Sequence, residues 1–249
     1  KIGGALQPGE IPWYWCWLDR SAAAAQAAAG RPLVVGPNVL FESSRRPCAV
    51  AEERALCAAT TCRTWFTESA WYARLIQSHL KPQNRGPIVL WPYPIEPRPP
   101  GPTTPSYDLL IYAKSGYRQS LLARLRKAFR RSKLIRYGRY RRDWLWETAR
   151  RSRACVYLSD DDRGPVALAE ILLSGCPAVG IERGAPLVET GRTGIRLDTL
   201  AFEAIVEGIA RCGALDRRRV AQRAARQFCP RRITETIVDA LDRARRLED

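Results

Sequence analysis

Residues 156–194, from Val156 to Gly194, read VYLSDDDRGPVALAEILLSGCPAVGIERGAPLVETGRTG. An apolar, aromatic run over 154–159 predicts a strand, and Asp160-Asp161-Asp162 with Gly164 predicts an acidic turn after it. Pro165 then opens a helix that Gly175 stops, because proline's fixed φ suits the first helical position and glycine suits the residue just past the last. A second strand is predicted over 178–181, followed by a Gly-punctuated loop. Between Val166 and Leu173 every residue is apolar except Glu170. A helix that is apolar on all faces is buried, and a buried carboxylate is costly unless partners are supplied. Glu170 is therefore a candidate functional residue.

Outward from this stretch the same alternation continues. Upstream, strands are predicted over 109–112 and 133–137 and helices over 118–129 and 143–152. Before them lies a run with seven prolines between residues 92 and 105, which cannot hold a helix and fits a semi-rigid linker. The first part of the chain predicts strands over 1–6, 31–35, 61–66 and 87–91, with helices over 13–29, 49–59 and 69–80. A helical tail over 215–247, broken near Pro230, closes the chain. The expectation is an α/β protein of two Rossmann-like halves: an N-terminal domain over 1–95, a C-terminal domain over 96–230 and a final helix over 231–249. Two such halves about a proline-rich hinge imply a cleft, which is a favoured ligand site.

The chain has 249 residues, enough for a sizeable core, and its hydrophobic content of 46% argues against disorder. Its net charge of +16 favours anionic partners such as phosphorylated ligands, nucleic acid or acidic lipid headgroups. An Arg- and Ala-rich composition from a GC-rich genome would produce the same charge without function. No apolar run approaches the roughly 20 residues of a membrane span and no secretory signal is visible, so a soluble cytoplasmic protein is expected. Eight cysteines form no CxxC pair, and Cys57 and Cys62 are the nearest two in sequence. Reduced core thiols are the expectation for them. With one histidine, His79, no mixed metal site is expected. Methionine is absent altogether, which at this length suggests an incomplete sequence.

Several motifs fall at telling places. Asp162 and Glu170 are separated by seven residues, Gly175-Cys176-Pro177 leads into the second strand, and Gly191-Arg192-Thr193-Gly194 ends the loop. Upstream are Phe66-Thr67-Glu68-Ser69 and Trp91-Pro92-Tyr93-Pro94-Ile95, and the tail carries Phe228-Cys229-Pro230-Arg231. This pattern resembles the retaining glycosyltransferases of the family 4 type, the large family that includes glycogen and sucrose synthases and has the two-Rossmann-domain GT-B fold. The resemblance covers residues 61–240. Asp162 stands where the family has its first Glu, Pro165 where it usually has Gly, and the N-terminal half is smaller than usual.

The resemblance implies transfer of a sugar from a nucleotide-sugar donor with retained configuration and no further cofactor. It assigns Glu170 to the donor ribose and Asp162 to the transferred sugar. An ionised carboxylate suits a vicinal diol, from which it accepts two strong hydrogen bonds. A helix cap is the structural reading for Asp162, and an ion pair with an arginine is the one for Glu170. Lys114, after a predicted strand and before Ser115-Gly116, is the candidate to neutralise the leaving diphosphate, with Arg118 and Arg139 as further donor-side cations. Backbone amides of Gly184 and Ala185, and of the helix start after Gly164, are expected to add donors. The acceptor, a glycan, a lipid-linked sugar or a small molecule, is expected on the side of Gly3, Gly4 and Asn38.

Two rival readings remain at the sequence level. Asp160-Asp161-Asp162 contains the Asp-x-Asp with which GT-A glycosyltransferases hold a divalent metal. Alternatively, the charge and the aromatic groups Trp13-Tyr14-Trp15 and Trp144-Leu145-Trp146 would suit a nucleic-acid binder, although no specific nucleic-acid motif is present. The helix predicted over 118–129, with Leu121, Leu122, Leu125 and Phe129 on one side, is either a sheet-covering helix or a contact with an anionic membrane surface. In the second case the protein would be peripheral to the inner membrane face.

Overall fold

A computed structural model describes residues 10–38, 40–41, 43–83, 86–98 and 104–246, without the side chains of Cys16 and Asn38. The strand predicted over 1–6, with Gly3 and Gly4, lies outside the described residues. The chain divides into two compact units, Lys1–Pro92 with Ile233–Asp249, and Tyr93–Arg232.

In the first unit, β1 (Trp13–Cys16), β2 (Leu33–Asn38), β3 (Cys62–Thr67) and β4 (Ile88–Leu90) form a parallel sheet in sequence order, linked by α1 (Arg20–Ala28), α2 (Ala51–Ala58) and α3 (Ala70–His79). The helix expected from residue 13 begins only at Arg20. Trp13-Tyr14-Trp15 is strand instead, because aromatic side chains fit a pleated surface better than a helix turn. Trp13, Phe66 and Trp91 share one sheet face with Ile233, Ala240 and Ala244 of the final helix. On the other face Leu33, Val35 and Trp65 meet Leu56, Tyr72 and Ile76.

The second unit holds β5 (Tyr107–Ala113), β6 (Ser132–Arg136), β7 (Ser152–Leu158), β8 (Ala178–Ile181) and β9 (Gly194–Leu197), all parallel, in the order β6-β5-β7-β8-β9. Strict alternation divides its central strands between two cores. Leu109, Ile111, Val156 and Leu158 face α4 (Gln119–Ala128) and α7 (Phe202–Cys212), whereas Leu110, Tyr112, Cys155 and Tyr157 face α5 (Arg142–Arg150), α6 (Val166–Leu173) and α8 (Arg217–Gln227). Neither β9 nor α7 was expected from sequence. Leu122 and Leu125 of α4 are buried against the sheet, with Leu121 and Phe129 packed beside them. The apolar side of that helix is thus consumed by the core.

Of the proline-rich stretch, the described residues 93–98 and 104–105 belong to the second unit. Ile95 is buried, and its N–H donates to Phe228 O at 3.2 Å. The final helix, α9 (Pro230–Arg246), supplies Ile233 to the first unit's core.

Candidate active site

From β5 the chain runs outward to β6 and returns to β7 on the other side of β5. That reversal leaves a crevice beyond the carboxyl ends of β5 and β7, where open parallel sheets receive ligands. Lys114 follows β5 directly, and Asp160-Asp161-Asp162 follows β7. The topology therefore brings together groups nearly fifty residues apart.

Lys114 Nζ stands 2.7 Å from Asp162 Oδ1 and lies over the Tyr137 ring, 5.0 Å from its centroid. Asp162 is 1% exposed, and the Tyr157 hydroxyl donates to its Oδ2 at 2.6 Å. Its N–H donates to Arg183 O at 2.8 Å. Asp162 is not a helix cap: Pro165 occupies the cap position of α6, with no side-chain cap bond. Lys114 keeps 22% of its side chain exposed, so it is only partly withdrawn from solvent beside its buried partner.

Tyr157 stacks on Tyr112 with ring centroids 4.7 Å apart, and the Tyr112 and Tyr140 hydroxyls lie 3.1 Å apart. Burial and the neighbouring Asp162 push the Tyr157 hydroxyl well above its ordinary pKa, so it stays a neutral donor. Tyr140 is raised by burial first, with contributions from Glu170 and Asp162. One tyrosine therefore feels both carboxylates. These tyrosines were not singled out from sequence, and alternation within β5 and β7 was the signal that Tyr112 and Tyr157 share a face.

Glu170 lies on α6, 3% exposed, and contacts the guanidinium of Arg142 at the start of α5. Burial raises its pKa, and Arg142 works against that rise. Arg98, which also lowers the Glu170 pKa, lies 2.8 Å from Asp143 and over the Trp146 ring, so this cation is itself held. Arg142 and Arg98 were missed because arginine is too common in this chain to carry a signal.

Gly184 brings its loop onto the end of β7, where an added Cβ would sit 1.7 Å from Ser159 O. Ala185 is fully buried and its N–H is bonded to Ile181 O at 2.7 Å, so this amide serves the fold rather than a ligand. Arg118, at the cap of α4, and Arg139 are both exposed. Asn38 ends β2 in the other unit. The three aspartates after β7 do not converge. Asp160 accepts from Ser115 Oγ at 2.5 Å, Asp162 holds Lys114, and among the described residues no group of three or more His, Cys, Asp or Glu could hold a metal ion.

No protein-family model matches the chain, and no curated protein matches it. Solved structures do. The lipopolysaccharide outer core galactosyltransferase WaaB, in its apo form, matches with a TM-score of 0.66 at 11% identity over 92% of this chain and 74% of its own. Sucrose-phosphate synthase from Thermosynechococcus elongatus gives 0.66 at 12% identity, over 94% and 73%. HepE from Anabaena in complex with UDP gives 0.61 at 13%, over 94% and 79%. These are GT-B glycosyltransferases, and what this chain shares with them at such identities is the fold. That fold also disfavours the GT-A reading of the aspartates.

Proposed function

We propose that this chain binds a nucleotide-sugar donor at the carboxyl edge of its second sheet and transfers the sugar, with retained configuration, to an acceptor. The observation that carries the reading is Lys114 at the β5–β7 crevice, seated 2.7 Å from a buried Asp162. A fixed ammonium stabilises a diphosphate as it leaves, without reorganising during the reaction. Fold neighbours support this choice of ligand, since HepE is a complex with UDP.

In this reading Asp162 is a positioning residue. Its two oxygens are engaged by Lys114 and Tyr157, so it aims the ammonium rather than touching the transferred sugar. Aspartate in place of glutamate fits, because the shorter side chain remains at the end of β7. Glu170 accepts from the ribose diol while Arg142 balances its charge. The positive charge of the chain attracts the anionic donor and would also suit an anionic membrane carrying a lipid-linked acceptor.

A thermal-shift screen with UDP, GDP and ADP tests the donor claim, because a ligand of the folded state raises Tm by mass action. At least one should raise Tm in the native protein and much less in Glu170→Gln. Equal shifts in both proteins would remove Glu170 from the site, and no shift with any of the three would defeat the donor reading.

A further inference from the structure

The two cysteines nearest in sequence are not the pair that the fold joins. Cys62 lies on β3 with its Sγ 3.5 Å from Thr64 O, whereas Cys57 on α2 lies with its Sγ 3.7 Å from that of Cys48, in the loop before the helix. Cys48 has φ 59°, the left-handed region that few non-glycine residues adopt. The loop is pinned there by the first turns of α2. Arg54 donates to the carbonyls of Cys48 and Ala49 at 3.0 Å each, and Glu53 accepts the Ala49 N–H at 3.0 Å.

We propose that Cys48 and Cys57 form an oxidative modification site, closing an intramolecular disulfide between the loop and α2. A disulfide requires sulfurs about 2.05 Å apart, so the two need only approach by roughly a further 1.7 Å. Cys48 is half-buried and Cys57 is 3% exposed, which sets the order of events. The thiolate of Cys48 attacks one sulfur of a low-molecular-weight disulfide and expels one thiolate. Cys57 then attacks Cys48 Sγ in the mixed disulfide and expels the second. The two protons lost by the cysteines leave on the two released thiols, and the small disulfide takes the two electrons. Burial, with Cys48 and Glu53 beside it, pushes the Cys57 thiol up, consistent with its acting second, at close range.

The test treats the whole chain with oxidised glutathione, alkylates remaining thiols, and reads intact mass and non-reduced peptides. The expected product is lighter than the reduced, unalkylated form by two hydrogen atoms before alkylation and yields one cross-linked peptide joining Cys48 to Cys57, lost on reduction. Cys57→Ser should instead accumulate glutathione on Cys48, and Cys62→Ser should give the same cross-link as the native chain. Circular dichroism of each variant establishes that it is folded. Should Cys57→Ser not fold, Cys48→Ser, altering only the half-buried partner, should leave Cys57 unlinked. A native chain that stays reduced, holds glutathione on Cys48 without closing, or links Cys57 to any other cysteine overturns the proposal.

Discussion

Glu170 is held in a place that works against its charge, since burial raises its pKa and Arg142 only offsets the rise. A raised carboxylate binds its proton more readily in the folded state than in the unfolded chain. Between the two pKa values, stability therefore falls as pH rises, and the penalty of the ionised group is relieved when pH drops below the folded value. Nucleotide binding should move the other way, because only the ionised form accepts both ribose hydrogen bonds. Titration calorimetry from neutral pH downward should show affinity falling at a pH above the ordinary glutamate value, with no loss of stability from this group as the pH drops. Glu170→Gln should lose about 1 to 3 kcal/mol of nucleotide binding at neutral pH and flatten that dependence. An affinity unaffected by pH and by the substitution would leave Glu170 a purely structural partner of Arg142. Tyr157 gives a second test at this scale. Tyr157→Phe removes the donor to the buried Asp162 carboxylate and should cost about 1.5 to 3 kcal/mol of stability in urea unfolding. Turnover should fall with little change in KM, since the substitution acts through the aim of Lys114. A variant less stable yet unaltered in turnover would show that the tyrosine serves only the fold.

Among the elements, those legible in the sequence are the ones whose apolar pattern and punctuation agree. The run VALAEILL, bounded by Pro165 and Gly175, forms α6 over Val166–Leu173, and the strands on either side of it form β7 and β8. β1 was illegible because Ala-rich α1 follows it closely and its four residues carry too few alternations to outweigh the helical signal. β9 was hidden for a similar reason, its four residues being recognisable only through pairing with β8. Lys114, Asp162 and Glu170 were legible as candidates, since each sits beside a turn signal or breaks an apolar run; their roles are proposals. What sequence could not supply was which oxygen meets which cation, a matter of sheet order. The amide of Ala185 shows the same limit, since its bond to Ile181 appears only once the loop is folded. Gly184 tests the loop itself. Gly184→Ala places a methyl 1.7 Å from Ser159 O, against backbone that cannot rotate away, and should destabilise by about 1 to 3 kcal/mol or more in denaturant unfolding. A variant as stable as the native chain would show that β7 and this loop are not in such close contact.

For the whole molecule the decisive property is a net charge of +16 that two readings share. A nucleotide-sugar enzyme uses a few cations at one crevice and leaves the remainder solvated. A nucleic-acid binder spreads its contacts along a surface, and counterion release then makes the log of its affinity fall against the log of salt by about 0.9 per neutralised phosphate. Duplex DNA should bind this chain weakly, without sequence preference, and release as salt is raised. Lys114→Ala separates the two uses of charge, but alone it strands the buried Asp162 carboxylate, a change that costs about 3 to 5 kcal/mol of stability in buried pairs. Pairing it with Asp162→Asn removes both charges together and keeps the interior balanced. The double variant should lose nucleoside diphosphate affinity and sugar transfer while its duplex binding, measured by fluorescence anisotropy across a salt series, keeps the native slope. Tight, sequence-selective binding that survives high salt, with no nucleotide response in either protein, would turn the positive charge over to nucleic acid and end the enzyme reading.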